Sequence, residues 1–275
     1  MAELPHHTLC ASTLSFSKTE PRLEPRPVDE ALYARAQAEG LSELQARLLA
    51  SRLSGYSGEL APLVTPSLRY LVHPEKLADG RRAAERIAQA VAEGETIGIL
   101  TDYDVDGITS HVVIRRTLVE LFGVPEGKLH SLIGHRIHDG YGISLPLVER
   151  TLAQKPFPTL VITADCGSSD EPRIARLKAA GIDVVISDHH ALPVEGPPSS
   201  AFACVNPTRD DCDYPDKTIA GCMVAWLLMS LARSVLIEWG RYRNRRPSCH
   251  PGSLTSRWAR SRIASPWAVA PPTAR

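Results

Sequence analysis

At 275 residues with 31 basic and 31 acidic side chains, the chain is long enough for one large domain or two small ones, and its composition excludes wholesale disorder. The balanced charge averages two unlike regions: residues 240–275 carry eight Arg and no Lys, Asp or Glu, leaving 23 basic against 31 acidic groups in residues 1–239. No charged-then-apolar leader opens the sequence, and the longest apolar stretch, around Cys222 to Ala232, is too short to span a bilayer. The six cysteines are scattered, without the C-x-x-C spacing that would make Cys204, Cys212 and Cys222 a zinc site. These features predict a cytoplasmic chain with reduced thiols and no membrane partner.

Residues 1–26 are polar and proline-containing and read as a loose N-terminal arm. Residues 27–94 read as a helical N-terminal region packed on the core. Its first helical stretch splits near Gly40, and Leu41, Leu44 and Leu48 fall at i, i+3 and i+7 as an apolar stripe. Pro62, Pro66 and Pro74 predict loops and short turns up to Glu75. A better helix covers 77–93, with Leu77, Ala84, Ile87, Ala88 and Val91 largely on one face.

From residue 95 to 239 the pattern becomes strand, turn, helix, repeated. Apolar strands are predicted at 96–100, 129–134, 159–163, 183–187 and 202–205. Helices are predicted at 110–122, 145–153, 171–180 and 219–239. The alternation predicts an α/β fold, a parallel sheet with helices on both faces and right-handed crossovers. In such open sheets a ligand sits beyond the carboxyl ends of the strands.

The polar residues collect at those ends. IGILTDYDVDGIT, residues 97–109, ends a strand in Asp102, Asp104 and Asp106. TLVITAD ends in Asp165 before Cys166-Gly167, and DVVIS ends in Asp188-His189-His190. Three carboxylates at alternate positions repel one another unless a cation sits among them. Taken singly, the segments also fit an acidic turn, a tight turn and a surface histidine pair; taken together, they converge on one sheet edge as a metal site. Carboxylates with one or two imidazoles suit Mn²⁺ or Mg²⁺, and two such ions would serve phosphoester or phosphoanhydride hydrolysis.

D-x-D-x-D-G after a strand, followed by A-D-C-G and S-D-H-H, resembles the DHH phosphoesterase superfamily, and within it the single-stranded-DNA exonucleases. GLSELQARLLASR (40–52), HRIHDGYGIS (135–144) and CVNPTRDDCDYPDKTIAG (204–221) extend the likeness over roughly residues 27–239. The resemblance implies a Rossmann-like DHH domain with Asp104, Asp106, Asp165 and His189 as metal ligands. Asp102 would be a further ligand or an orienting neighbour, and Asp188 would orient the paired histidines. His190 would contact the scissile phosphate. Arg136, Gly140, Tyr141 and Gly142 would line the substrate path, with Arg136 on a phosphate. The implied activity is 5′-to-3′ removal of mononucleotides from single-stranded DNA in repair and recombination. The alternatives are hydrolysis of short oligonucleotides or other small phosphorylated substrates, and a catalytically silent fragment that binds metal or nucleic acid.

The family's fourth motif, an Asp after a further strand, and its second domain are not readable here. Residues 240–275 instead read as an unstructured basic tail. Permissive GC-rich codons for LTSRWARSRIASPWAVAPPTAR, read two bases later, give DVALGTVADCVSLG, which looks like that fourth motif. The tail is therefore expected to be a frameshift product of a longer gene. A stop codon in that frame would end this reading. The expected consequences are an under-coordinated metal, low activity, and a helix at 219–239 whose Val224, Leu227, Leu228 and Leu231 lack cover.

Overall fold

A computed structural model describes residues 24–65 and 67–242. Most of the expected N-terminal arm, and nearly all of the basic tail with its frameshift reading, lie outside the described residues. The chain forms two compact units that meet in sequence at Ser67 and Leu68. The boundary falls inside the helical region expected over 27–94, and the helix at its end belongs to the second unit.

The first unit is built on α1 (Glu30–Ala38), α2 (Glu43–Ala50) and the short α3 (Ala61–Val64). Asp29 caps α1 by accepting from the Leu32 amide, and Ser42 with Gln45 forms a reciprocal capping box on α2. Between them Gly40 takes φ 85°, the left-handed turn that ends a helix. The predicted leucine stripe is buried only at its start: Leu41 packs in part on the core, Leu44 and Leu48 are 68% and 46% exposed, and Ala36, Ala46 and Ala50 are fully buried. Small side chains let α1 and α2 approach closely, so the alanines turn inward while Leu44 and Leu48 turn out.

The second unit is a five-stranded, all-parallel sheet of β1 (Ile97–Thr101), β2 (Leu129–Ile133), β3 (Leu160–Ala164), β4 (Asp183–Ser187) and β5 (Ala203–Val205). Their spatial order is β2-β1-β3-β4-β5. Helices α4 (Gly80–Glu93), α5 (Val105–Arg116), α6 (Leu145–Leu152), α7 (Glu171–Ala179) and α8 (Gly221–Glu238) cover it. The period of two is legible in the packing. Ile97, Ile99, Leu160, Ile162 and Val185 join α4, α5 and α8 on one face. Leu100, Val161, Val184 and Ile186 join α6 and α7 on the other.

Two expectations change. The helix after β1 begins at Val105 rather than near residue 110, because Asp104 caps it by accepting from the Gly107 amide at 2.9 Å. It closes in a π turn over Thr117–Leu121. Helix α8, 18 residues long, is long and apolar enough by length and composition to cross a membrane. Its Val224, Leu227, Leu228 and Leu231 are nevertheless at most 1% exposed, within the cluster that α4, α5 and the sheet complete. The side chains expected to lack cover are core.

Candidate metal centre at the strand ends

Thr101 pairs with Ala164, and Ala164 with Ser187, so β1, β3 and β4 end in register. The next residue on each strand is Asp102, Asp165 and Asp188, which places the three motifs side by side at one sheet edge. The crossover order also puts β1 between β2 and β3, the switch point where open α/β sheets take their ligands.

Each side chain is then fixed locally. The Asp106 carboxylate accepts from the Gly221 amide at 2.8 Å and the Cys222 amide at 2.9 Å, so the N-terminus of α8 holds it. Burial works against its charge, but those two amides prevail and hold its carboxyl below the usual range. Asp188 is buried; hydrogen bonds from His190 and Ser168 overcome the penalty of burial and hold it low as well. Its oxygens accept from the amides of His189 at 2.7 Å and Ser168 at 3.0 Å, and from Nδ1 of His190 at 2.8 Å. That pairing holds His190 up at about 9, a cationic ring.

His189 is presented differently. Its Nδ1 lies 3.0 Å from the Ile219 carbonyl, which can only accept, so Nδ1 carries the hydrogen. With Nδ1 so engaged, Nε2 lies 3.0 Å from Asp165 Oδ1 and 3.6 Å from Asp106 Oδ2. Asp165 Oδ1 is buried and has no hydrogen-bond donor. An imidazole nitrogen and a carboxylate oxygen aimed at one another at that distance, with a second carboxylate beside them, fit a shared cation.

Burial, then the charges of Asp106 and Asp104, push Asp165 up to about 8. Its backbone takes φ 62°, a left-handed conformation that costs a non-glycine residue energy. Asp102 repeats the theme: it is 2% exposed, burial raises its carboxyl, and its Oδ2 also lacks a donor. Asp165, His189 and His190 offer atoms within 4.8 Å of one another. Of these, His190 has its Nδ1 on Asp188, which leaves Asp165 Oδ1 and His189 Nε2 as the pair that also faces Asp106.

Beside this centre stands an aromatic edge. Tyr141 meets the His190 ring at 6.2 Å and the Tyr103 ring at 6.3 Å, both edge-on. The Arg136 guanidinium lies 6.0 Å from the Tyr103 ring. Gly140 and Gly142 take φ 75° and 68°, which bends the chain so that Tyr141 is presented 67% exposed. Arg136 and Gly140 therefore lie on the tyrosine side of the cluster.

Sequence reasoning passed over Tyr103, Ser168, Asn206 and Gly221 as site residues. Buried Asn206 donates to Ser168 Oγ at 2.8 Å and to the His190 carbonyl at 2.9 Å, tying β5 to the histidine pair. A Cβ on Gly221 would lie 2.7 Å from Asp165 Oδ1, so only glycine leaves room there. Of the four, only Asn206 and Gly221 lie in the N-P…A-G stretch of residues 204–221, and nothing local there says what they touch.

The family model described as the DHH family, N-terminal domain, matches residues 96–248. The single-stranded-DNA-specific exonuclease RecJ of Escherichia coli K12 is 32% identical over 228 residues, 83% of this chain and 37% of that protein. Its counterpart in Dickeya dadantii is 36% identical over 179 residues, 65% of this chain and 30% of that protein. The chain thus spans about a third of the length of these relatives. A crystal structure of exonuclease RecJ bound to manganese aligns with TM-score 0.50 and 30% identity, over 58% of this chain and 38% of that one. The RecJ of Thermus thermophilus, in complex with Mn²⁺, shares the fold at TM-score 0.55 and 24% identity, over 75% of this chain and 28% of that one.

Proposed function

The chain belongs to the DHH family, and from that premise we propose that it carries a metal-dependent phosphodiesterase centre acting 5′-to-3′ on single-stranded DNA. The observation that carries this reading is the approach of Asp165 Oδ1 and His189 Nε2 to 3.0 Å, beside Asp106, in a cluster of carboxylates. The likeness to single-stranded-DNA-specific exonucleases supports the substrate class, and we extend it to a role in DNA repair and recombination in the cytoplasm.

In this reading Asp104, Asp106, Asp165 and His189 hold Mn²⁺ or Mg²⁺, with Asp102 either a further ligand or an orienting neighbour. Bound there, such an ion supplies Lewis acidity toward phosphate oxygens and toward the attacking water. The protein's own groups do the rest. His190, cationic against Asp188, offers a fixed positive charge to the scissile phosphate. The exposed faces of Tyr103 and Tyr141 give bases a surface to stack on. Arg136 supplies a planar phosphate contact. A net-acidic body is compatible with this, because only the local groups along the strand need be cationic.

The test is incubation of the purified chain and Mn²⁺ with 5′-labelled single-stranded DNA, a dinucleotide and pyrophosphate. Mononucleotide release from the long strand, lost in Asp106→Asn, is the expected result. Cleavage confined to the small substrates would replace the exonuclease reading with a small-substrate hydrolase. Metal binding without any turnover would leave a silent domain.

A further inference from the structure

Asp170 sits at the N-cap position of α7, where an aspartate ordinarily accepts from the first amides of its own helix. Here it makes no such bond. The side chain turns away, and Oδ2 accepts from the amide of Ile143 at 3.0 Å, 27 residues back in the sequence. A cap given up on one helix for a bond to a distant loop sacrifices local stability to hold that loop.

The loop is the one that presents Tyr141. At its near end Asp139 is buried, accepting from the His135 amide at 2.7 Å and from both terminal nitrogens of Arg150 at 2.7 Å. At its far end stands the bond from Ile143 to Asp170. Between the two anchors lie Gly140, Tyr141 and Gly142, with both glycines at positive φ. Such a segment has wide conformational freedom unless its ends are held. The approach at Gly142 is close: a Cβ there would lie 2.9 Å from Asp170 Oδ2. Asp170 also follows the turn that carries Asp165 and Ser168, so a single short segment touches both the ligand cluster and the loop.

We infer that Asp170 is a positioning residue: its carboxylate latches the Gly140–Ile143 segment and so fixes Tyr141 against the Tyr103 and His190 rings, where the strand would lie. The consequence for binding rests on the proposed function; the latch itself does not. The carboxylate cluster has anchors that do not pass through the Asp170 side chain: the Asp165 amide donates to the Ser187 carbonyl at 2.9 Å, and Asp188 accepts from the Ser168 amide at 3.0 Å.

The full chain is compared with Asp170→Ala and Asp170→Asn, since asparagine keeps an oxygen that accepts from the Ile143 amide. Four quantities are read: hydrogen exchange at Ile143, Mn²⁺ affinity by electron paramagnetic resonance, and KM and kcat on single-stranded DNA. Asp170→Ala is expected to speed exchange at Ile143 and raise KM on the order of tenfold, the scale of one lost hydrogen bond to a charged acceptor. Mn²⁺ affinity and kcat should stay within about twofold, and Asp170→Asn should restore most of the KM. Parallel loss of Mn²⁺ affinity and kcat would show a general structural role and overturn the proposal, as would unchanged exchange at Ile143 in the alanine variant. A wild-type chain without hydrolysis would overturn the functional reading alone, and the exchange rate then decides the latch.

Discussion

Replacing Gly221 by alanine tests the centre without substituting any of the proposed ligands. Gly221 opens α8, and its amide donates to Asp106 Oδ2 at 2.8 Å. An added Cβ would lie 2.7 Å from Asp165 Oδ1, 3.2 Å from its Cγ and 3.3 Å from its Cβ. Relieving that overlap needs a displacement of roughly half an ångström. Asp165 is enclosed and already strained at φ 62°, while α8 is wedged against α4 and α5, so neither retreats freely. Helix propensity runs the other way, alanine being favoured over glycine by up to about 1 kcal/mol. Thermal stability should therefore change little while the ligand geometry suffers. The expected result is a fall in Mn²⁺ affinity of about 10- to 100-fold, the usual range for disturbing a ligand's support. Isothermal titration reads it, with Gly127→Ala as control, since a Cβ at that glycine meets nothing within 4 Å. An affinity within about twofold of wild type would refute the argument that Gly221 makes room for Asp165.

The same geometry makes three further predictions. Asp165→Asn removes a buried carboxylate from beside Asp106 and Asp104, so the metal-free melting temperature should hold or rise, whereas the Mn²⁺-induced rise, worth about 2.7 kcal/mol at a hundredfold excess over Kd, should vanish; equal shifts in both proteins would count against Asp165 as a ligand. Buried His111 lies between Thr101 and Ser131, and burial, helped by Arg115, lowers its pKa from 6.5 to about 4. Because the unfolded chain takes up that proton first, stability is full above pH 6.5 and falls as pH drops toward 4, by at most about 3 kcal/mol. In His111→Gln the melting temperature should vary less with pH across that window; an unaltered slope would remove His111 as the cause. Arg136→Ala should weaken binding of single-stranded DNA and reduce the dependence of log K on log salt by about 0.7, one phosphate contact; an unchanged slope would make Arg136 an ordinary surface residue.

The sheet was readable because β1, β3 and β4 are apolar on both faces, a run that few other elements produce. The convergence of Asp102, Asp165 and Asp188 was readable for a related reason, since parallel strands of equal length end in register. Periodicity said less about which face turns inward. Leu41, Leu44 and Leu48 form a true stripe, yet close helix packing selected the alanine face of α2 instead. The start of α5 was hidden because Asp104 looks like loop when it is counted only as a ligand, although the same carboxylate caps the helix. Asp170 and Asn206 were beyond reach: their partners lie 27 and 38 residues away, at Ile143 and Ser168. Such contacts depend on topology, and no local spacing encodes them.

The polar groups of the centre divide into two kinds, and the division bears on how the site is maintained. Asp104, Asp106 and Asp188 each have donors from the protein: the Gly107 amide, the α8 amides, and Ser168 with His190. These are satisfied by the fold itself. Asp102 Oδ2 and Asp165 Oδ1 have none, and each unmet buried acceptor costs about 1–3 kcal/mol. The first group therefore fixes the frame in the absence of metal, and the second carries the unmet attraction that a cation would satisfy. A site built wholly of the first kind would fold well and bind weakly. One built wholly of the second would repel itself apart. Here the frame is anchored by α5, α8 and β4, which leaves Asp165, on β3 between β1 and β4, as the side chain whose environment changes most when a divalent ion enters.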